Sequence, residues 1–401
     1  MLSREWKYIL LIIVIFISAC IETDIYLPAF TDMMAFFSIS EEKIQSLLTW
    51  NFIGICLAGP FYGPISDSLG RKKPLIFALG LFLIGSIFTL FAQDFDLMLL
   101  GRVLQGLGSG GCFTLGTAII FDAFKEQQAV QALNRINSIV PFIFASAPML
   151  GGYLNNIYGF RSNFLAIAII VFISFMICLF WFDETLPSEK RSPFRLKKII
   201  GDFKKVSLSV PFWQTTMIVC LSFSGYLAFL STISVLYILE FGIEKQSLPY
   251  HQAALLGAWL VANLLFNQIL SWIGVAKVKL FGTLMILTGG TILIASAWAV
   301  PENPYFFTGA MMIFAVGVNW TQGLYFPEGM ELFPEIKGVS ASLLTSIRLL
   351  MAAIVVAIAS TFYDGTIYPI VTIECILIAV ILATILLYEK KKPITGLIKN
   401  T

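Results

Sequence analysis

The chain has 401 residues, 58% of them hydrophobic and 12% charged, with a net charge of +2. Soluble domains carry about a quarter of their residues charged, so a water-soluble globule is excluded, and nothing points to a nucleic-acid partner. Six cysteines stand singly in apolar runs and His251 is the single histidine, so neither a disulfide framework nor a metal or cofactor site is expected.

Arg4 and Lys7 precede the first apolar run. Acids interrupt that run and no small-residue cleavage site follows, so it reads as a retained span rather than a signal peptide. Crossing a bilayer takes about 20 apolar residues. Runs of that kind lie at 8–29, 44–65, 74–92, 95–121, 136–157, 163–182, 212–239, 250–273, 280–299, 305–330, 339–362 and 367–388. The expected fold is an all-α membrane protein of twelve transmembrane helices in two six-helix bundles, 1–182 and 212–388. The basic segment 183–211 joins them and 389–401 forms a tail. Apolar residues at helical spacing over 194–206 fit an interfacial helix, and a plain solvated linker fits equally well. The halves share no visible sequence identity, so the repeat rests on hydropathy alone.

Placing both termini in the cytoplasm puts 21 of the 26 Lys and Arg residues on that side. Lys43, Arg161 and Lys245 fall on the other, while Arg102 and Arg348 lie within spans. That bias fits a positive-inside, multi-pass protein of a bacterial inner membrane.

The first span carries Glu22 and Asp24, about 20–25 Å along its helix. Two residues apart means about 200° of rotation, so they face opposite ways and Glu22 shares a face with Tyr26. Pro28 denies the Asp24 carbonyl its helical donor, so the helix is expected to be loose there. A carboxylate held from water can trade a proton near neutral pH.

Residues 63–74 read GPISDSLGRKKP, a tight basic turn. Gly70 permits a positive φ, and Asp67 can pair with Arg71. In the fourth span Gly106, Gly108 and Gly111 match a dinucleotide-binding spacing, but they lie mid-span and suit close helix packing instead. Arg102 is a cation inside a span, which usually marks function; snorkelling to the interface is the other reading. In the fifth span Pro141 and Pro148 are expected to bend the helix, beside Gly151 and Gly152.

The turn at Gly63, Asp67, Gly70 and Arg71 resembles the signature of the major facilitator superfamily, with Ser68 where a basic residue is usual. Arg102, Gln105 and Gly106 resemble the fourth-span motif of its proton-coupled members. Pro148, Gly151 and Gly152 resemble its antiporter motif, and Glu184, Thr185 and Leu186 its E-T-L ending. Asp24, Tyr26, Leu27, Pro28 and Ala29 resemble the D-x-Y-L-P-A element of Bcr/CflA-type drug:proton antiporters. The resemblance implies a latch between the halves at Asp67, Arg71 and Asp122. It also favours Asp24 for proton coupling, with Arg102 modulating it. Glu22, extra to the pattern, is the second candidate proton site and is favoured for substrate contact. Arg348 stands where the branch commonly has Gln.

Polar and aromatic residues at membrane depth outline a substrate cavity: Tyr26, Trp50, Asn51, Tyr226, Asn263, Asn267, Asn319, Trp320, Gln322 and Arg348. Arg348 suits an anionic group. Glu328, Glu331 and Glu335 read as interfacial, and Glu374 is an intramembrane acid without an evident partner. The expected protein is a monomeric, proton-coupled exporter of small drug-like or amphipathic molecules. Import or exchange of an anionic metabolite or siderophore-like compound, and a non-transporting receptor, are the alternatives. With no nucleophile–base pair and one His, no enzyme is expected.

Overall fold

The computed structural model describes residues 4–124, 126–191 and 196–391. Lys125, Arg195, Lys392 and Lys399, used in the charge count, and the tail from 392 onward lie outside them. All described elements are helical: α1 Arg4–Asp24, α2 Phe30–Phe37, α3 Glu41–Leu69, α4 Lys72–Phe91, α5 Phe95–Ala123, α6 Glu126–Tyr158, α7 Arg161–Trp181, α8 Leu196–Ser207, α9 Val210–Leu239, α10 Leu248–Ala299, α11 Pro304–Glu331, α12 Lys337–Thr361 and α13 Tyr368–Lys391.

The first span is broken. Helix α1 stops at Asp24, and a 3-10 turn over Leu27–Ala29 leads into α2. Pro28 explains the stop, because a proline supplies no N–H to the turn before it. Helix α10 has 52 residues, about 78 Å at 1.5 Å each, far more than one bilayer core. Gly274, at φ 79° and ψ 166°, reverses the chain inside it and makes two spans. With α6 and α11, the described helices give twelve crossings, α1 and α2 counting as one.

Gly70 adopts nearly the same backbone, φ 89° and ψ 168°, between α3 and α4. That region of backbone space is essentially reserved for glycine. Gly70 separates spans two and three, and Gly274 separates spans eight and nine. The two turns thus share one backbone geometry and stand six spans apart.

Glycines let helix backbones touch inside each half. A Cβ on Gly101 would lie 2.9 Å from the Gly85 carbonyl oxygen, and one on Gly108 2.6 Å from that of Ala78. Helix α5 thus beds on α3 and α4, which is the packing expected of its glycines. In the second half Gly289 and Gly317 bring α10 and α11 together in the same way. Helix α9 is buried on nearly every side and forms the inner wall of that half. Between the halves, Leu196–Ser207 forms α8 within the basic segment.

Candidate functional site

Arg102 is fully buried on α5, so it does not snorkel. Its Nη1 donates to Glu22 Oε2 at 2.6 Å and to Gln105 Oε1 at 2.7 Å. Nη2 donates to the Tyr26 hydroxyl at 2.9 Å, and the guanidinium lies 4.4 Å from the Tyr26 ring centre. The same Glu22 carboxylate accepts from Asn51 Nδ2 at 3.1 Å and from Ser109 Oγ at 3.2 Å. Gln105 passes the chain on to Ser86 and Thr89. An ion pair this deep is tolerable only when its remaining hydrogen bonds are met, and here they are.

This geometry revises three assignments. Glu22 is fully buried in a closed network and does not face a ligand. Tyr26 and Asn51 are equally buried and belong to that network rather than to a cavity wall.

Asp24 stands apart. It is buried and lies within Coulombic range of Tyr226 on α9. Among the described residues no hydrogen bond or ion pair reaches its carboxylate, while the Tyr226 hydroxyl is buried and also unpartnered. Two acids on one helix therefore meet different surroundings: Glu22 is held by an ion pair and hydrogen bonds, and Asp24 is not.

Other candidates scatter. Trp50 is 43% exposed, and Asn263 and Asn267 are exposed on α10. Trp320 donates to the Ala262 carbonyl at 3.2 Å, a helix-to-helix bond. Asn319 and Gln322 are buried on α11, and Gln322 accepts from Arg348 at 3.2 Å. Glu374 is buried on α13 against Gly225, with both carboxyl oxygens unpartnered.

At the end of the bundle nearest the linker, Arg71 donates to Asp67 at 2.6 Å and to Asp122 at 2.7 Å. Glu184 completes the cluster. Its carboxylate accepts from the backbone N–H groups of Arg71 at 2.8 Å and Lys72 at 3.2 Å, which begin α4. A carboxylate at a helix start meets unpaired N–H groups and the positive end of the helix dipole. Asp67, Arg71 and Asp122 belong to the first half and Glu184 to the start of the segment that follows it, so the cluster clasps α3, α4, α5 and the chain after α7, and among the described residues it takes in none of the second half. Gly63 has open space around its α-carbon and makes no close approach.

Burial works to raise the Glu184 carboxyl, but the N–H groups of Leu186, Arg71 and Lys72, helped by Arg191, outweigh it and hold it below the usual carboxylate range. A lowered folded value means its stabilisation is full above the unfolded value and fades as pH falls through the folded one. Thermal unfolding of the wild type and Glu184→Gln in nanodiscs should therefore differ most at neutral pH and converge in acid. A gap that stays constant down to about pH 3 would contradict this origin.

A second clasp was missed. Lys279, near the start of span nine, lies 2.7 Å from both Glu328 and Glu389, and 4.1 Å from the Tyr325 ring centre. Glu328 is thus part of an ion cluster rather than merely interfacial. It follows Asp122 by 206 residues, and Glu389 follows Glu184 by 205. Those nearly equal offsets were the available signal.

At the opposite end, Lys245 pairs with Asp32, which also accepts from Asn155 at 2.7 Å. Ser231 donates to Gln45 at 3.2 Å, and Gly152 meets Pro249 without room for a side chain. These contacts join the two halves. Helix α6 runs through Pro148 as one assigned helix, and Gly151 packs on the Ile25 carbonyl beside Asp24.

The family model of the Major Facilitator Superfamily matches residues 11–356. The bicyclomycin resistance protein homolog of Haemophilus influenzae is 23% identical over 369 residues, 89% of this chain and 90% of that protein. Multidrug resistance protein MdtL of Escherichia coli O9:H4 is 31% identical over 222 residues, 55% of this chain and 56% of that protein. The partially occluded, inward open structure of the xylose transporter XylE from E. coli aligns with a TM-score of 0.70 at 15% identity, over 98% of each chain.

Proposed function

This chain belongs to the Major Facilitator Superfamily, and from that premise we propose that it is a proton-coupled exporter of small drug-like or amphipathic molecules. The two resistance-protein relatives support the choice of cargo. Residues 1–182 and 212–388 act as two bodies that rock about a central cavity, joined by the 183–211 linker. The protein works as a monomer in a bacterial inner membrane with both termini cytoplasmic, the side favoured by its basic residues.

The contrast between Glu22 and Asp24 carries the mechanism. Glu22 is committed to Arg102 and holds the first bundle in register. Asp24 has no such partner, sits at the break in the first span, and lies within Coulombic range of Tyr226 in the other bundle. In one facing it takes a proton from one side; in the other it gives the proton up as cargo binds. Competition between proton and cargo for this region yields antiport. Arg102 acts by positioning α1 through Glu22, not by touching the proton.

In proteoliposomes with an imposed pH gradient, Asp24→Asn should lower gradient-driven flux by at least about tenfold, typical of losing a proton-transfer group. Exchange of labelled for unlabelled cargo without a gradient should persist. Full gradient-driven flux in Asp24→Asn would sink the assignment.

A further inference from the structure

The second bundle holds a group of hydrogen-bond donors without acceptors. Arg348 lies eleven residues into α12, about 17 Å along it, and so near the middle of the bilayer. Its guanidinium stacks 4.7 Å from the Phe223 ring centre and 5.8 Å from that of Phe326. Nη1 donates to Gln322, but Nε is buried and unpaired. Gln322 Nε2 and the Tyr226 hydroxyl are also buried and unpaired, with Gln322 7% and Tyr226 3% exposed. Among the described residues no carboxylate pairs with Arg348.

These groups converge. Phe223 and Tyr226 are three apart on α9, and Gln322 and Phe326 four apart on α11, so each pair shares a face. Trp259 joins them, 6.2 Å from Phe223 and 5.1 Å from Tyr226 between ring centres. The contrast with Arg102 is direct. Both are cations inside spans, yet Arg102 has its carboxylate and Arg348 does not. An uncompensated cation and idle donors at this depth are expensive. What relieves them is a ligand bringing negative charge and lone pairs.

We propose that the exported cargo bears a carboxylate on an aromatic body, and that Arg348, Gln322 and Tyr226 receive that carboxylate. Phe223, Phe326 and Trp259 take the aromatic body. This assignment rests on the export reading for its direction only.

The test uses the full-length protein in nanodiscs and three matched probes: 2-naphthoate, 2-naphthylmethanol and 2-naphthylmethylamine. Calorimetry should show naphthoate bound about ten- to a hundredfold more tightly than the alcohol, the range of a charge-assisted hydrogen bond. Arg348→Ala should erase that margin, while Arg348→Lys keeps part of it. Should Arg348→Ala fail to fold, Gln322→Leu decides, because it must shrink the same margin. Equal binding of the three probes, preference for the amine, or a margin that survives Arg348→Ala overturns the proposal. Flux separates it from the export reading. Arg348-dependent naphthoate binding without gradient-driven flux of any probe rejects export and leaves the anion site standing. Gradient-driven flux of the amine, with no naphthoate preference, does the reverse.

Discussion

Arg102→Ala is expected to destabilise the protein by about 3–5 kcal/mol, the cost of removing one partner from a buried ion pair, and to abolish transport. The reason lies in what remains. Glu22 would keep Asn51 and Ser109 as donors but lose its counter-ion in a fully buried site. Gln105 and Tyr26 would each lose a donor, and the hydrogen bond from Arg102 to the Glu22 backbone carbonyl would go as well. The damage extends across α1, α3 and α5. The double variant Glu22→Gln with Arg102→Met should recover much of the loss, since a buried pair exchanged for neutral groups of similar volume is often near-neutral. Thermal unfolding followed by tryptophan fluorescence checks both. If Arg102→Ala shifts the midpoint no more than Lys197→Ala on the exposed linker helix, the network is not what holds the first bundle.

Gly151→Val should be nearly as severe, through packing alone. A Cβ at Gly151 would fall on the backbone carbonyl of Ile25, deep inside contact distance. The obstacle is main chain, so no rotamer change relieves it. Overpacking of this sort costs about 1–3 kcal/mol and sometimes more. Its functional effect should exceed its effect on stability, because Ile25 follows Asp24 in the break of the first span. Moving that turn moves the carboxylate. Flux should therefore fall more than tenfold, at the scale of a mispositioned group, even where folded protein is recovered. Gly309→Ala is the control: nothing lies near its α-carbon, and alanine favours helix by about 1 kcal/mol over glycine. Equal flux in the two variants would refute the packing argument.

Hydropathy carried the fold well, for a simple reason. A bilayer leaves few ways to satisfy a backbone, so a run of apolar residues near 20 long is close to a commitment to helix. Residues 274–279, a gap between two such runs, hold the reversal at Gly274. Pro28 likewise marked where α1 ends. Pairings were harder. Helical periodicity tells which way Glu22 faces, but not that Arg102, 80 residues on, waits there. That knowledge needs the angle at which α5 crosses α1. Tyr26 and Asn51 were placed on a cavity wall for the same reason: polarity at depth reads alike whether the partner is a ligand or a neighbouring helix. The second clasp at Lys279 escaped because its residues match no motif. Only the offset from Asp122 and Glu184 betrays it.

The two clasps have a mechanical consequence. Each pins three helix ends within its own half and, among the described residues, none in the other. The halves are instead fastened by Ser346 on the Cys56 carbonyl, Ser231 on Gln45, and the exposed pair of Lys245 with Asp32. An exposed ion pair holds by about 1 kcal/mol or less. Stiff halves with few polar bonds between them suit rigid-body rocking. In the proposed antiport, a bound proton or passenger decides which way they tip.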